Sequence, residues 1–366
     1  MRPDDNADRY QTPMDIAWQF DYAIDIQKLR DLYSKAKRHQ WDAEQLIDWD
    51  QEIDPSKPLI DDRQSTVMQL PFMQRLDATR RAAFNAHNTA YTLSQFLHGE
   101  QGALMVAAQQ VHAVPDYEAK LYAATQAMDE ARHVEVFERY VRKLAEIYPI
   151  NPTLKELIDV TLKSDHWVKV CVGMQMIIEG LALGAFHNMR RVTTDPLLRQ
   201  IVEYVLRDES RHVAFGNVYV REAIGDMHPD DREDVAQFAF EAMRYMVEAN
   251  GGGRRRGQVN MPDPTYTRVL ENSDIDPAEF VRGIAEALGE GFRPSRAVGA
   301  IHSFRELMMP SLVRVGAVTE RTRALFAEAQ INVYEDTSKL EALENADAEP
   351  EDQAAMGSQG SRLGER

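Results

Sequence analysis

Along most of the chain apolar residues recur at the three- and four-residue spacing of a helix, on a background of Ala, Leu, Met, Gln, Glu and Arg. Runs of alternating β-branched residues are few, so the pattern predicts a nearly all-α protein. Its interruptions are sparse: Pro71, Val114-Pro115-Asp116, Tyr148-Pro149-Ile150-Asn151-Pro152, Asp195-Pro196 and His228-Pro229-Asp230 delimit segments of about 20 to 45 residues. Ahead of them, residues 1–60 read as an arm with one helix near Tyr22 to Arg38, followed by Gln40-Trp41-Asp42. Residues 61–250 read as the helical bundle itself. The run Asn250-Gly-Gly-Gly-Arg-Arg-Arg-Gly257 makes residues 251–262 a flexible linker, and Arg254 to Arg256 read as part of a solvated loop rather than as a grip on an anion. Residues 263–334 read as a C-terminal helical extension, with Asp276 capping and Pro277 opening one helix, and a second running from about Pro294 to Gln330. From Glu335 onward acidic and small residues dominate, which predicts a disordered tail over residues 335–366.

The 366 residues, 44% of them hydrophobic, suffice for a large core without disulfides. Cys171 is the single cysteine, which excludes a disulfide framework or a cysteine-rich zinc site and suits the cytoplasm. A net charge of −17 argues against a surface that grips a phosphate backbone, so nucleic acid is not an expected partner. The first residues lack the apolar stretch of a signal peptide, and no run of eighteen or more uncharged apolar residues predicts a membrane span.

The candidate chemistry begins with Glu179, the only charged residue between Val170 and Phe186. A carboxylate in such surroundings is costly unless it is protonated and bonded to a neighbour, or compensated by a cation. Two repeated units supply a reason for a cation: Asp129-Glu130-Ala131-Arg132-His133 and Asp208-Glu209-Ser210-Arg211-His212. Residues three apart share a helix face, so each Glu-x-x-His can aim a carboxylate and an imidazole at one point. Loop positions give an independent geometric test. Glu100 and Glu130 each stand 15 residues from Pro115, and Glu179 and Glu209 stand 16 and 14 residues from Asp195. Two antiparallel hairpins bent at these points bring Glu100 level with the first unit and Glu179 level with the second.

Four helices bearing four inward carboxylates and two imidazoles form a six-ligand cage of the kind built by ferritin-like di-iron and di-manganese bundles. Over roughly residues 72 to 225 the sequence resembles that superfamily. Its Asp-Glu-x-Arg-His units look most like the oxygen-activating branch: multicomponent monooxygenases, acyl-carrier-protein desaturases, the radical subunit of ribonucleotide reductase and its ligand-binding oxidase relatives. The resemblance implies an all-α fold with a ferritin-like four-helix bundle core and extra N- and C-terminal helices. It implies Glu130 and Glu209 as bridging metal ligands, Glu100 and Glu179 as terminal ligands, and His133 and His212 on one metal each. Asp129 and Asp208 would orient the histidines from behind and Arg132 and Arg211 would neutralise those aspartates. Carboxylates and imidazoles suit two iron ions, with manganese or a mixed manganese–iron pair as alternatives.

Departures from the relatives narrow this reading. Phe137 and Glu100 stand where the radical subunit has a tyrosine and an aspartate, which disfavours radical storage. No threonine follows Glu179, the turn being Gly180-Leu181-Ala182-Leu183-Gly184, and Val205 stands where arylamine N-oxygenases of the superfamily have a further histidine. The small residues beside Glu179 read either as room for oxygen and substrate or as close helix packing. Met174, Met176, Phe186, Leu104, Phe137 and Phe215 could line an apolar pocket but read more readily as core, while His98, His112, His166 and His187 read as core or surface groups. The resulting expectation is an enzyme that uses dioxygen to hydroxylate, N-oxygenate or desaturate a small, largely apolar substrate, with no catalytic residue beyond the metal ligands. No Gly-x-Gly-x-x-Gly follows a strand, so electrons are expected from a ferredoxin or reductase, and a homodimer is expected. The rival readings are a ferroxidase or iron-storage protein, a manganese oxidase or catalase, and a purely structural bundle that would leave its carboxylates uncompensated.

Overall fold

The computed structural model describes residues 8–249, 262–295 and 299–345. The Arg254 to Arg256 run and the tail beyond residue 345 lie outside the described residues. Among the described residues there is no strand, only an isolated bridge from Ile60 to Thr193 that pins the arm to a bundle loop.

The arm contains α1 (Gln27–Arg38) and the short α2 (Ala43–Leu46). Helix α1 starts at Gln27 and not near Tyr22, because the chain before it is extended: the Glu118 carboxylate accepts the backbone N–H groups of Asp25 and Ile26. Ile16, Trp18, Phe20, Tyr22 and Ile24 alternate along this extended piece and are each between 47% and 77% exposed, so its apolar face looks outward. After α3 (Pro71–Arg75) come the bundle helices: α4 (Ala78–Ala113), α5 (Tyr117–Leu144), and, beyond α6 (Pro152–Leu162), a continuous rod of α7 (Trp167–Cys171), a π-helical stretch Val172–Ile178 and α8 (Glu179–Val192), then α9 (Pro196–Asp226). Their ends follow the punctuation. Asp77 caps α4 by accepting from Arg80 N, and Asp195 caps α9 by accepting from Leu198 N, with Pro196 in the first turn.

The rod Trp167–Val192 is long and apolar enough by length and composition to cross a membrane, but 78% of its most apolar window is buried inside the bundle. Two core clusters fill the bundle: one includes Tyr122, Met174, Met176 and Phe215, the other Phe84, Phe137, Tyr140 and Phe186. On every bundle helix, Glu100, Glu130, Glu179 and Glu209 fall between residues of the two clusters.

Helix α10 (Pro229–Ala249) precedes α11 (Pro264–Asn272) and α12 (Pro277–Gly289), the latter capped by Asp276 accepting from Glu279 N. The single helix expected from Pro294 to Gln330 is instead broken into a π-helical turn Phe304–Met308, α13 (Met309–Val315) and α14 (Glu320–Glu328), followed by α15 (Ser338–Asn345), which falls within the stretch expected to be a disordered tail and is ordered because Leu340 is fully buried and Glu344 pairs with Arg314. Gly316 causes the break by adopting φ +85°, which ends α13, and a capping box between Thr319 and Thr322 starts α14 afresh.

Candidate metal centre

The two hairpins bring all six cage side chains together, each at most 4% exposed. Donor atoms of Glu100, Glu130, His133 and Glu209 lie within 4.8 Å of one another, as do those of Glu130, Glu179 and His212. The contacts are ordered. Nδ1 of His133 is 3.2 Å from Glu100 Oε2, 3.2 Å from Glu130 Oε2 and 3.1 Å from Glu209 Oε1. Nδ1 of His212 is 3.1 Å from Glu130 Oε1, 3.4 Å from Glu209 Oε2 and 3.9 Å from Glu179 Oε1. Glu130 and Glu209 therefore each turn one oxygen toward each imidazole, while Glu100 serves one side and Glu179 the other.

Behind the histidines the two units cross over. His133 Nε2 lies 3.0 Å from Asp208 Oδ2, and His212 Nε2 lies 3.4 Å from Asp129 Oδ2, so each imidazole is oriented by the aspartate of the other unit. Arg132 Nη2 donates to both aspartates, at 2.5 Å to Asp129 and 2.9 Å to Asp208, and Arg211 pairs with Asp208. The arm joins this layer: Trp41 Nε1 donates to Asp208 Oδ2 at 2.8 Å, Gln40 bridges Asp129 and Arg132, and the Arg132 guanidinium lies over the Trp41 ring.

Burial and mutual repulsion push the Glu100 and Glu179 carboxyls well above the usual range, with the charge on Glu209 the chief repulsive partner of each. For Glu209 burial acts the same way but is overcome, chiefly by the charge of His212, so its carboxyl is held well below the usual range. Burial disfavours charge on His133 too, yet hydrogen bonds to Asp208 and to three glutamates hold it well above its ordinary value, and His212 is likewise pushed up to about 10.

The donor set fits a metal pair. Glu130 Oε2, both Glu209 oxygens and His212 Nδ1 are buried without a hydrogen-bond partner, and these atoms face the interior of the cage. Six buried carboxylates against two guanidiniums leave four negative charges when the histidines are neutral, the charge of two divalent ions.

A family model described as P-aminobenzoate N-oxygenase AurF matches residues 25–288. The chain belongs to the AurF family. AurF membership makes it an oxidase or oxygenase of the ferritin-like dinuclear-metal superfamily. Among solved structures the fold is similar to R2-like ligand-binding oxidases: a variant with an aerobically reconstituted Mn/Fe cofactor (15% identity, TM-score 0.39), a variant with an aerobically reconstituted Fe/Fe cofactor (16%, 0.38) and a protein after photoconversion (17%, 0.37). Each comparison covers 73% of this chain and 94% of the other. No assignment rests on so loose a likeness. No curated protein matches the sequence.

A cavity of about 790 Å³ reaches the cage, its wall including Glu100, Glu179, Phe96, Ala182 and Phe186. Of the six apolar residues that could line a pocket, only Phe186 does so here. Met174, Met176, Phe137 and Phe215 are fully buried core residues, and Leu104 is half-buried away from this cavity, because helix rotation turns them toward neighbouring helices. The small residues divide their duties. A Cβ at Gly180 would press on Met308, and one at Gly184 on Ser303, so both serve close packing of the C-terminal segment, while Ala182 opens to the cavity. His98 bonds the Tyr148 carbonyl, His112 that of Met14, and His166 caps α7; these and His187 stay outside the cage.

Sequence reading missed a buried amide beside the cage. Gln126 Nε2 lies 3.0 Å from both Glu130 Oε1 and Glu179 Oε1. The available signal was spacing: Gln126 precedes Glu130 by one helical turn, as Gln175 precedes Glu179.

Proposed function

We propose that Glu100, Glu130, His133, Glu179, Glu209 and His212 hold two metal ions, iron in the first instance, and that the enzyme N-oxygenates a small neutral arylamine. The observation that carries this reading is the cavity whose inner wall includes both Glu100 and Glu179, the two outer ligands of the proposed pair. The chemistry supplied by two redox ions held there is reduction and cleavage of dioxygen. The protein's own part is to fix the donor atoms, to keep the reacting end of the substrate among Phe96, Ala182 and Phe186, and to hold protons on the cage while it is empty. In the balanced reaction one amine N–H becomes N–OH, the second oxygen atom leaves as water, two electrons come from a ferredoxin or reductase, and two protons come from solvent.

p-Aminobenzoate, from which the family takes its description, carries an amine and a carboxylate. Among the described lining residues the ionisable groups are Glu100, Glu179, Asp263 and Tyr91, and this acidic lining favours an amine without a carboxylate. The test is product analysis by mass spectrometry after iron-loaded, chemically reduced protein meets oxygen and an arylamine. An alkyl-substituted aniline should be oxidised at nitrogen faster than p-aminobenzoate, and Ala182→Phe, which fills the cavity beside Glu179, should cut turnover roughly a hundredfold with unchanged iron content. Absence of N-oxidised product from every arylamine offered would overturn the reading.

Pairing of two copies belongs to the same proposal. The outward row Ile16, Trp18, Phe20, Tyr22 and Ile24 offers roughly 700 Å² of apolar surface, close to one side of a stable interface. Light scattering should return twice the chain mass, and Trp18→Asp together with Phe20→Asp should return the single chain; a wild-type monomer would refute the pairing.

A further inference from the structure

We propose that Gln126 is the positioning residue for Glu179 and that it sets the cation position at His212 apart from the one at His133, an inference that rests on the two-metal reading of the cage. A primary amide has two N–H hydrogens. Gln126 Nε2 has three acceptors in range: Glu130 Oε1 and Glu179 Oε1, each at 3.0 Å, and Gln175 Oε1 at 3.4 Å. The two nearer carboxyl oxygens take the two hydrogens. The amide cannot turn over, because that would set its carbonyl oxygen against both of them.

Its other end is locked from behind. Gln126 Oε1 accepts from Gln175 Nε2 at 2.8 Å, and the second hydrogen of that nitrogen goes to Gln110 Oε1 at 3.3 Å. All three glutamines are at most 1% exposed, so no water competes for these bonds. Three helices thereby contribute one buried ladder: Gln110 on α4, Gln126 on α5 and Gln175 in the π-helical stretch that ends just before Glu179. The opposing helix makes room for it. A Cβ at Gly216 of α9 would run into Gln175 Cβ and Met176 Cε.

The ladder serves one side of the cage. The oxygens it grips, Glu130 Oε1 and Glu179 Oε1, are two of the three turned toward His212 Nδ1, the third being Glu209 Oε2. Those turned toward His133 Nδ1 are Glu100 Oε2, Glu130 Oε2 and Glu209 Oε1, none of them bonded to Gln126. A partner that orients one ligand set and not the other makes the two cation positions unequal.

The experiment is a titration of metal-free protein with Mn²⁺ under argon, with free ion read by electron paramagnetic resonance. Wild type should take up two ions. Gln126→Met, which keeps the volume and removes the amide, should weaken one ion roughly tenfold to a hundredfold and leave the other within about threefold, with the retained ion beside His133 in anomalous scattering. Gln175→Met should weaken the same ion by a smaller factor, and it carries the comparison if Gln126→Met fails to fold. A residue that merely supports the core would move both ions together, so equal weakening, two unchanged ions, or selective loss at His133 overturns the proposal. A wild-type protein that binds no pair of ions fails the two-metal reading itself, which separates the two outcomes.

Discussion

Glu130→Ala is expected to abolish uptake of both metal ions, not one. Its two oxygens are divided between the imidazoles, Oε2 at 3.2 Å from His133 Nδ1 and Oε1 at 3.1 Å from His212 Nδ1, so one substitution removes a donor from each position. Calorimetric titration with a divalent ion should show two ions per wild-type chain and affinity lowered at least about a hundredfold at both positions in the variant. The same titration reads protons. His212 is pushed up to about 10, so it carries a proton at neutral pH before a cation enters, and Glu100, Glu179 and His133 are shifted in the same direction. A cation must displace such protons. Uptake should therefore release protons, seen as a buffer-dependent heat, and should tighten as pH rises from about 6 toward 9. Glu130→Ala should show neither effect at concentrations that saturate wild type. One ion retained at wild-type affinity would contradict the bridging geometry.

Asp208→Ala is expected to cost more stability than any other single change in the layer behind the cage. Asp208 Oδ2 accepts from Trp41 Nε1 at 2.8 Å, from Arg132 Nη2 at 2.9 Å and faces His133 Nε2 at 3.0 Å, while Oδ1 pairs with Arg211. These contacts outweigh burial and hold the Asp208 carboxyl well below the usual range. Removal would leave Arg132 and Arg211 sharing the single carboxylate of Asp129 in a layer where each is at most 5% exposed. A buried pair broken on one side costs about 3–5 kcal/mol, a large fraction of ordinary domain stability. Denaturant unfolding of the metal-free proteins should show that loss for Asp208→Ala, or no folded protein at all. Trp41→Phe, which deletes a single neutral donor, should cost about 1 kcal/mol. An Asp208→Ala protein within about 1 kcal/mol of wild type would mean that water reaches those guanidiniums.

What the sequence disclosed, and what it withheld, follows from how local each signal is. The hairpins were legible because Pro115 and Pro196 end helices wherever they stand, and equal arm lengths then put Glu100 beside Glu130 and Glu179 beside Glu209. The i, i+3 spacing within each unit needs only a helix. The crossing of Asp129 to His212 and of Asp208 to His133 depends on how α5 and α9 meet, which no residue spacing within one helix records. Trp41 reaches Asp208 across 167 residues of chain, and the Gln110–Gln126–Gln175 ladder spans three helices, so neither leaves a periodic trace. Cavity lining was not separable from core for the same reason: Met174 and Met176 share the apolar character of Phe186, and only the packing of the helices shows that the two methionines are core and that Phe186 meets open space. The split of the expected helix at Gly316 turned on one left-handed residue inside an otherwise helical pattern.

The central claim is that four antiparallel helices hold two cations between Glu130 and Glu209. Anomalous diffraction from crystals of manganese- or iron-loaded protein tests it most directly. Two peaks per chain are expected, one beside Nδ1 of His133 and one beside Nδ1 of His212, with Glu130 and Glu209 each presenting an oxygen to both. A single peak, peaks away from these nitrogens, or a fully loaded protein in which either imidazole turns Nδ1 toward its aspartate would contradict it.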